Sequence, residues 1–240
     1  MKNKEIVSVK CIKHRYPDKT EVSICGLDFI VREAENIALI GSNGSGKSTF
    51  LMHIIGLLRP TEGSVDVFGI DPADNFNDIQ RKVGVVVQRA EDQMIGPTVF
   101  DDIAFSLINY GFSEDEISKR VNGIMEEMKI EKLQDKLIHY LSGGEKKKVA
   151  LAGALVLYPK LLILDEVLSG IDIESVDLIL GILDRFNKEY KTAIIMATNE
   201  IEIVEKFSQK VYLLDKGEIV FSGPFKDLVK KYNNYTVCKH

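Results

Sequence analysis

Ile40-Gly41-Ser42-Asn43-Gly44-Ser45-Gly46-Lys47-Ser48-Thr49 is the stretch that decides the fold. Ile40 closes a strand-length apolar run that starts at Asn36. Behind the glycines come Phe50, Leu51, Ile54 and Ile55 at helical spacing. A loop of the form G-x-x-x-x-G-K-S between strand and helix is the setting in which backbone cradles phosphate. Gly44 and Gly46 permit backbone angles that let successive N–H groups curl around phosphate oxygens. The helix starting near Lys47 turns its positive end to the same anion. Lys47 offers a point charge to the terminal phosphates, and the Ser48 hydroxyl suits Mg²⁺. Ser42, Asn43, Gly44, Ser45, Gly46, Lys47, Ser48 and Thr49 are the expected nucleotide-binding set.

Working outward, the runs Val83–Val87, Leu161–Leu164, Thr192–Ala197 and Val211–Asp215 recur between helical patterns. This rhythm predicts an α/β protein with a largely parallel sheet, whose chemistry sits at the carboxyl ends of the strands. The first thirty-odd residues and Gly63–Gly69 read as shorter alternating strands, an antiparallel side layer. From Thr98 to Tyr140 the texture is helical. Ser113-Glu114-Asp115-Glu116 has the form of a capping box, with Ile117, Val121, Ile124, Met125 and Met128 behind it. The expected organisation is one domain over residues 1–240 with a helical insertion at about 91–155. After Gly223-Pro224 there is room for one helix, Phe225 to Tyr232.

The chain has 240 residues, 45% hydrophobic and 28% charged, which suits one globular domain with subdomains. A net charge of -5 supplies no basic face, so nucleic acid is not an expected partner. No apolar run reaches the roughly 18 residues that span a bilayer, and Met1–Lys10 leads into no signal-peptide core. Cys11, Cys25 and Cys238 lack metal-ligand spacing and read as free thiols in a reducing cytosol. Service to a membrane would run from its cytoplasmic side through a partner.

Two more segments carry chemistry. Leu161-Leu162-Ile163-Leu164 is apolar throughout, as in a strand buried on both faces, and Asp165-Glu166 follows at its carboxyl end. Asp165 can hold Mg²⁺ through water, and Glu166 can polarise an attacking water. Leu141-Ser142-Gly143-Gly144-Glu145 opens a helix through Val149, Leu151, Ala152 and Leu155. Ser142 and Glu145 form a capping box, and two adjacent glycines expose N–H groups to an outside anion. Far from the P-loop in the chain, they would serve the nucleotide of a second subunit.

With these motifs in this order, nearly the whole chain resembles the ABC ATPase family, whose signature is LSGGQ. The resemblance implies a P-loop NTPase (RecA-like) core, ATP with Mg²⁺, and ATP hydrolysis coupled to transport. It implies a head-to-tail dimer, each nucleotide lying between one P-loop and the other subunit's signature. It places Tyr16 where an aromatic stacks on adenine, and Gln88 at the loop that senses Mg²⁺ and γ-phosphate. Ser169-Gly170-Ile171-Asp172 matches the loop that crosses the dimer interface. A finer resemblance lies in Gln88–Gln93 and Pro97–Phe105, which are similar to the energy-coupling-factor and cobalt-type importer ATPases. These take up vitamins or transition-metal ions with two ATPase subunits, a transmembrane coupling subunit and a substrate-binding membrane subunit. The acidic residues of this segment would suit a basic coupling helix.

Two departures stand out. Ala197-Thr198-Asn199-Glu200 puts Asn199 where the family carries a histidine at the γ-phosphate, and an amide cannot become cationic. Val167 and Leu168 replace the usual proline and threonine. The reading that follows is a P-loop that binds ATP and hydrolyses it slowly, beside a different ATPase subunit whose P-loop, completed by Ser142–Glu145, carries most turnover. The competing classes are a soluble ABC ATPase acting on ribosomes or DNA, and a silent regulatory half, against which the retained Glu166 speaks. His14, His53, His139 and His240 read as structural or surface residues, and Lys146-Lys147-Lys148 as a solvated helix face.

Overall fold

The computed structural model describes residues 4–232. In chain order the strands and helices are β1 (Glu5–Arg15), β2 (Glu21–Gly26), β3 (Phe29–Arg32), β4 (Asn36–Ile40), α1 (Lys47–Ile54), β5 (Glu62–Val67) and α2 (Pro72–Asn75). There follow β6 (Val83–Val86), α3 (Val99–Asn109), α4 (Glu114–Glu127), α5 (Gly143–Leu155), β7 (Leu161–Asp165) and α6 (Ile173–Tyr190). The chain continues through β8 (Ala193–Ala197), α7 (Ile201–Phe207), β9 (Lys210–Asp215), β10 (Glu218–Gly223) and α8 (Phe225–Lys231).

The strand order is β3-β1-β2-β10-β9-β4-β8-β7-β6, with β5 on β1. From β9 through β4, β8 and β7 to β6 every pairing is parallel, and β1, β2, β3 and β5 form the antiparallel side layer. Strands in the middle of a parallel sheet bury both faces, and alternate residues divide between two cores. Leu162, Leu164, Ile194 and Met196 pack with α3, α4, α5 and α6. Leu161, Ile163, Ala193 and Ile195 pack with α1 and the side layer. Full burial of each such Leu or Ile is worth about 1.5–3 kcal/mol over exposure.

One side chain ties the two layers together. Tyr212 of β9 is fully buried, and its hydroxyl both donates to the carbonyl of Ile30 (3.0 Å) and accepts from its N–H (2.9 Å).

Two local expectations change. Cys11 and Cys25 are not free thiols but form a disulfide. The antiparallel register sets Ile12 against Ile24, which puts the two cysteines on facing strands. Cys238 and His240 lie outside the described residues. At Ser113 the cap is a half-box: its oxygen accepts from Glu116 N–H, while the Glu116 carboxylate takes the serine hydroxyl instead of a backbone N–H.

Candidate active site

Adjacent parallel strands put the expected residues side by side. The P-loop follows β4, Asn199 follows β8, Asp165 ends β7 with Glu166 just after it, and Gln88 follows β6. Since β4, β8, β7 and β6 are consecutive neighbours in the sheet, all four loops leave from one edge. Gly44 and Gly46 have φ of 77° and 103°, the left-handed region that the phosphate cradle demands.

A cavity of about 490 Å³ opens over this edge, lined along Asn43–Thr49 and by Gln88 and Glu166. Lys47, only 5% exposed, donates to the carbonyls of Gly41 (2.8 Å) and Ser42 (3.3 Å). Its ammonium is also 3.6 Å from Glu166 Oε1, and Glu166 Oε2 accepts from the Gln88 amide at 2.8 Å. Glu166 sits at φ 50°, a sparsely populated conformation for a side chain of this size, of the kind held at functional sites. Val167 and Leu168 behind it are buried in the helical-side core, which accounts for apolar residues at these positions.

Burial pushes the Asp165 carboxyl above its ordinary range and the Glu166 charge adds to this, while the Ser48 hydroxyl and Lys47 oppose it. Asp165 Oδ1 is buried with no hydrogen-bond partner. A carboxylate with an orphaned oxygen beside a serine hydroxyl fits a small, hard cation that takes oxygen ligands. Asn199 donates from Nδ2 to Asn43 Oδ1 at 2.9 Å, so the amide is tied to the P-loop while its own oxygen stays unpaired.

Tyr16 reaches the site indirectly: its hydroxyl lies 3.0 Å from Thr49 Oγ1. Beside it, His53 of α1 is buried, with Nδ1 2.8 Å from the Thr49 carbonyl and Nε2 unpaired, and the His14 ring is 5.0 Å away. Desolvation, with His14 as a lesser cause, holds the His53 pKa below its ordinary value. A histidine shifted downward favours the folded state fully above its unfolded pKa of about 6.5, and that contribution is lost as pH falls below it. The melting temperature is therefore expected to drop between pH 7.5 and 5.5, and His53→Leu to flatten that slope. An unchanged slope in a thermal melt would contradict the buried neutral imidazole.

Residues that sequence reading missed also line the cavity: Glu21, Val22 and Ser23 of β2, and Lys216-Gly217 in the β9–β10 turn. Asp215-Lys216-Gly217-Glu218 signals a turn, but nothing local says that it folds over a nucleotide. The signature segment Leu141–Glu145 does not line this cavity. It starts α5, with both halves of the capping box formed, Leu141 buried and Ser142 and Gly143 exposed. The lysine run is half-buried rather than fully solvated, and Lys147 donates to the Ser169 carbonyl. Asp172 caps α6 through the Ser175 N–H.

The acidic character expected at Gln88–Phe105 is largely consumed within the chain. Glu91 and Asp92 pair with Arg89, Asp101 accepts from the Thr98 hydroxyl, and Asp102 accepts from the N–H groups of Ile95 and Gly96. Beside these exposed but paired charges the outward surface also carries apolar side chains: Ile95, Phe105 and Ile108, with Met52 and Leu57 across the neighbouring groove.

Residues 24–169 match the family described as ABC transporter. A putative ABC transporter ATP-binding protein of Methanopyrus kandleri is 40% identical over 216 residues, covering 90% of this chain and 80% of that protein. The energy-coupling factor transporter ATP-binding protein EcfA of Methanosphaera stadtmanae is 38% identical, covering 93% and 81%. Among solved structures, cbiO1 from Clostridium perfringens, part of the ABC transporter complex cbiONQ, superposes with a TM-score of 0.81 at 33% identity, covering 97% and 96%. No helix among the described residues is long and apolar enough to cross a membrane. With its P-loop, acidic strand end and capped glycine pair in place, the chain belongs to the ABC transporter family, as an ATP-binding subunit that hydrolyses ATP to power transport.

Proposed function

We propose that this chain is an ATPase subunit of an energy-coupling-factor importer for a vitamin or transition-metal ion, working at the cytoplasmic face of the cell membrane. The observation that carries this reading is the likeness to EcfA over nine-tenths of the chain. The chain acts as a single ATPase unit with its helical insertion at about 91–155. It pairs with a second ABC ATPase subunit, preferably a different protein, and with a transmembrane coupling subunit and a substrate-binding membrane subunit. The coupling subunit docks an apolar face into the groove beside Gln88, where Met52 and Leu57 are exposed and the charges of Arg89 and Asp92 are paired with each other.

In this reading the P-loop from Ser42 to Thr49 holds the ATP phosphates and Tyr16 faces the adenine. Mg²⁺, which neutralises charge on the β- and γ-phosphates, is held by Ser48, Asp165 and Gln88. Glu166 leaves Lys47 when ATP arrives and orients the attacking water. The signature Leu141-Ser142-Gly143-Gly144-Glu145 closes on the partner's nucleotide. Isolating the tagged chain from native membranes under ATP tests the assembly. The expected companions are membrane subunits and a second ATPase with an intact histidine. Recovery of this chain as the sole ATPase would overturn the heterodimer, and recovery with ribosomes would overturn the importer.

Asn199 makes this chain's own P-loop the slow site. One of its two amide N–H donors is engaged by Asn43, its oxygen repels phosphate, and no cationic form exists to stabilise the transferring group. Asn199→His is expected to raise hydrolysis at this site about tenfold, a fraction of what one preorganised donor supplies. The measurement is ATP turnover in a complex whose partner ATPase lacks its catalytic carboxylate. Unchanged turnover would mean that Asn199 suffices and that both sites fire.

A further inference from the structure

Glu145 ends the signature with a carboxylate where the family motif ends in a neutral amide. A negative charge one residue beyond Gly143-Gly144 opposes the anion those N–H groups would bind, most strongly once water is excluded. The chain turns this carboxylate backwards. Glu145 Oε2 accepts from the Ser142 N–H at 2.7 Å, and Lys136 Nζ lies 3.3 Å from each carboxylate oxygen. The Ser142 N–H first, and Lys136 with it, hold the Glu145 carboxyl below its ordinary range. A Cβ added at Gly143 or Gly144 would have no heavy atom within 4 Å, so the space beside both glycines is open.

Lys136 comes from a fixed place. Its segment is strapped to the start of α3: Val99 N–H donates to the Lys136 carbonyl (3.1 Å), Phe100 N–H to that of Gln134 (3.0 Å), and Ile138 N–H to that of Pro97 (3.1 Å). Thr98 and Leu137 form a bridge between these donors. Lys147, the neighbouring cation on α5, is engaged by the Ser169 carbonyl instead. Half-exposed ion pairs contribute little to stability, so an effect of this pair should show in function more than in folding.

We propose that Lys136 is a positioning residue for the nucleotide site completed across the dimer. It neutralises Glu145 and draws the carboxylate onto the first turn of α5, leaving the Gly143 and Gly144 N–H groups to the γ-phosphate on the partner's P-loop. This rests on the head-to-tail dimer of the proposed function.

The test compares Lys136→Met in the wild-type and Glu145→Gln backgrounds of the assembled transporter, with kcat and KM for ATP as readouts. With Glu145 present, the lysine's loss is expected to lower kcat/KM about tenfold, mainly through KM. In the Glu145→Gln background there is no charge to compensate, and the same change is expected to cost less than about twofold. Lys136→Arg keeps the charge and is expected to rescue, which separates the electrostatic role from a folding defect. Equal losses in both backgrounds, or no rescue by arginine, would overturn the assignment. Gly144→Glu tests the underlying dimer separately: if it leaves turnover intact, the shared site itself is wrong. If Gly144→Glu abolishes turnover and the two backgrounds still respond alike, only the role of Lys136 falls.

Discussion

Lys47→Ala is expected to weaken ATP binding to the isolated chain by about 10²-fold or more, near 3 kcal/mol. Two effects act with the same sign. The substitution removes the one ammonium enclosed by the loop, which is almost fully buried and held by two carbonyls of its own cradle. It also leaves the Glu166 carboxylate, 3.6 Å from that ammonium, without its cation at the edge of a cavity that must accept phosphate. The remaining N–H groups of the loop and the start of α1 still attract anions, so residual binding is expected at high nucleotide concentration. A fluorescence titration with a ribose-labelled ATP analogue reads the change directly. A shift below about threefold would show that this loop is not where the terminal phosphates sit.

The second large effect belongs to the other face. Gly144→Glu is expected to lower ATP turnover of the assembled transporter by about 10²–10³-fold, the range seen when an anion-stabilising donor is lost. The isolated chain should fold and bind ATP as before. A Cβ added there meets no heavy atom within 4 Å, and the residue is not in the left-handed region. An acid in the first turn of α5 also favours the helix dipole, so the variant should melt no lower than the native chain. A folded, nucleotide-binding subunit that stalls its transporter is the expected outcome of steady-state ATPase assays. Wild-type turnover would mean that α5 completes no site on a partner.

These two predictions differ in how much of their basis was legible in the sequence. Lys47, Asp165, Glu166 and the Ser142–Glu145 cap lie within short motifs whose strand or helix context is set by neighbouring residues, and the five parallel core strands fall within a residue of their predicted places, while β5 ends two residues before Gly69 and β10 was not predicted. Contacts that depend on register or distant packing were not legible. The Asn199–Asn43 bond spans 156 residues. Val22 and Ser23 share a cavity with Lys216 and Gly217 only because the start of β10, while paired with β9, also pairs briefly with β2. The disulfide needed the β1–β2 register, and the acidic look of Gln88–Phe105 hid carboxylates that serve as turn and helix caps. The substitution of histidine by Asn199 was visible at once, but its attachment to the P-loop was not.

The Tyr212 hydroxyl has a consequence for how the molecule breathes. By filling both hydrogen-bonding groups of Ile30, it makes a strand of the side layer depend on a side chain of the central sheet. Peeling the side layer away would break both bonds between Ile30 and the phenol, leave it only the Lys210 ammonium, and open the contacts of Phe29 with Phe50 and Tyr212. The two layers are thereby joined into one cooperative opening unit, so amide protons in β3 exchange on the schedule of β9 instead of that of an edge strand. The side layer thus takes its rigidity from a residue that does not line the P-loop cavity.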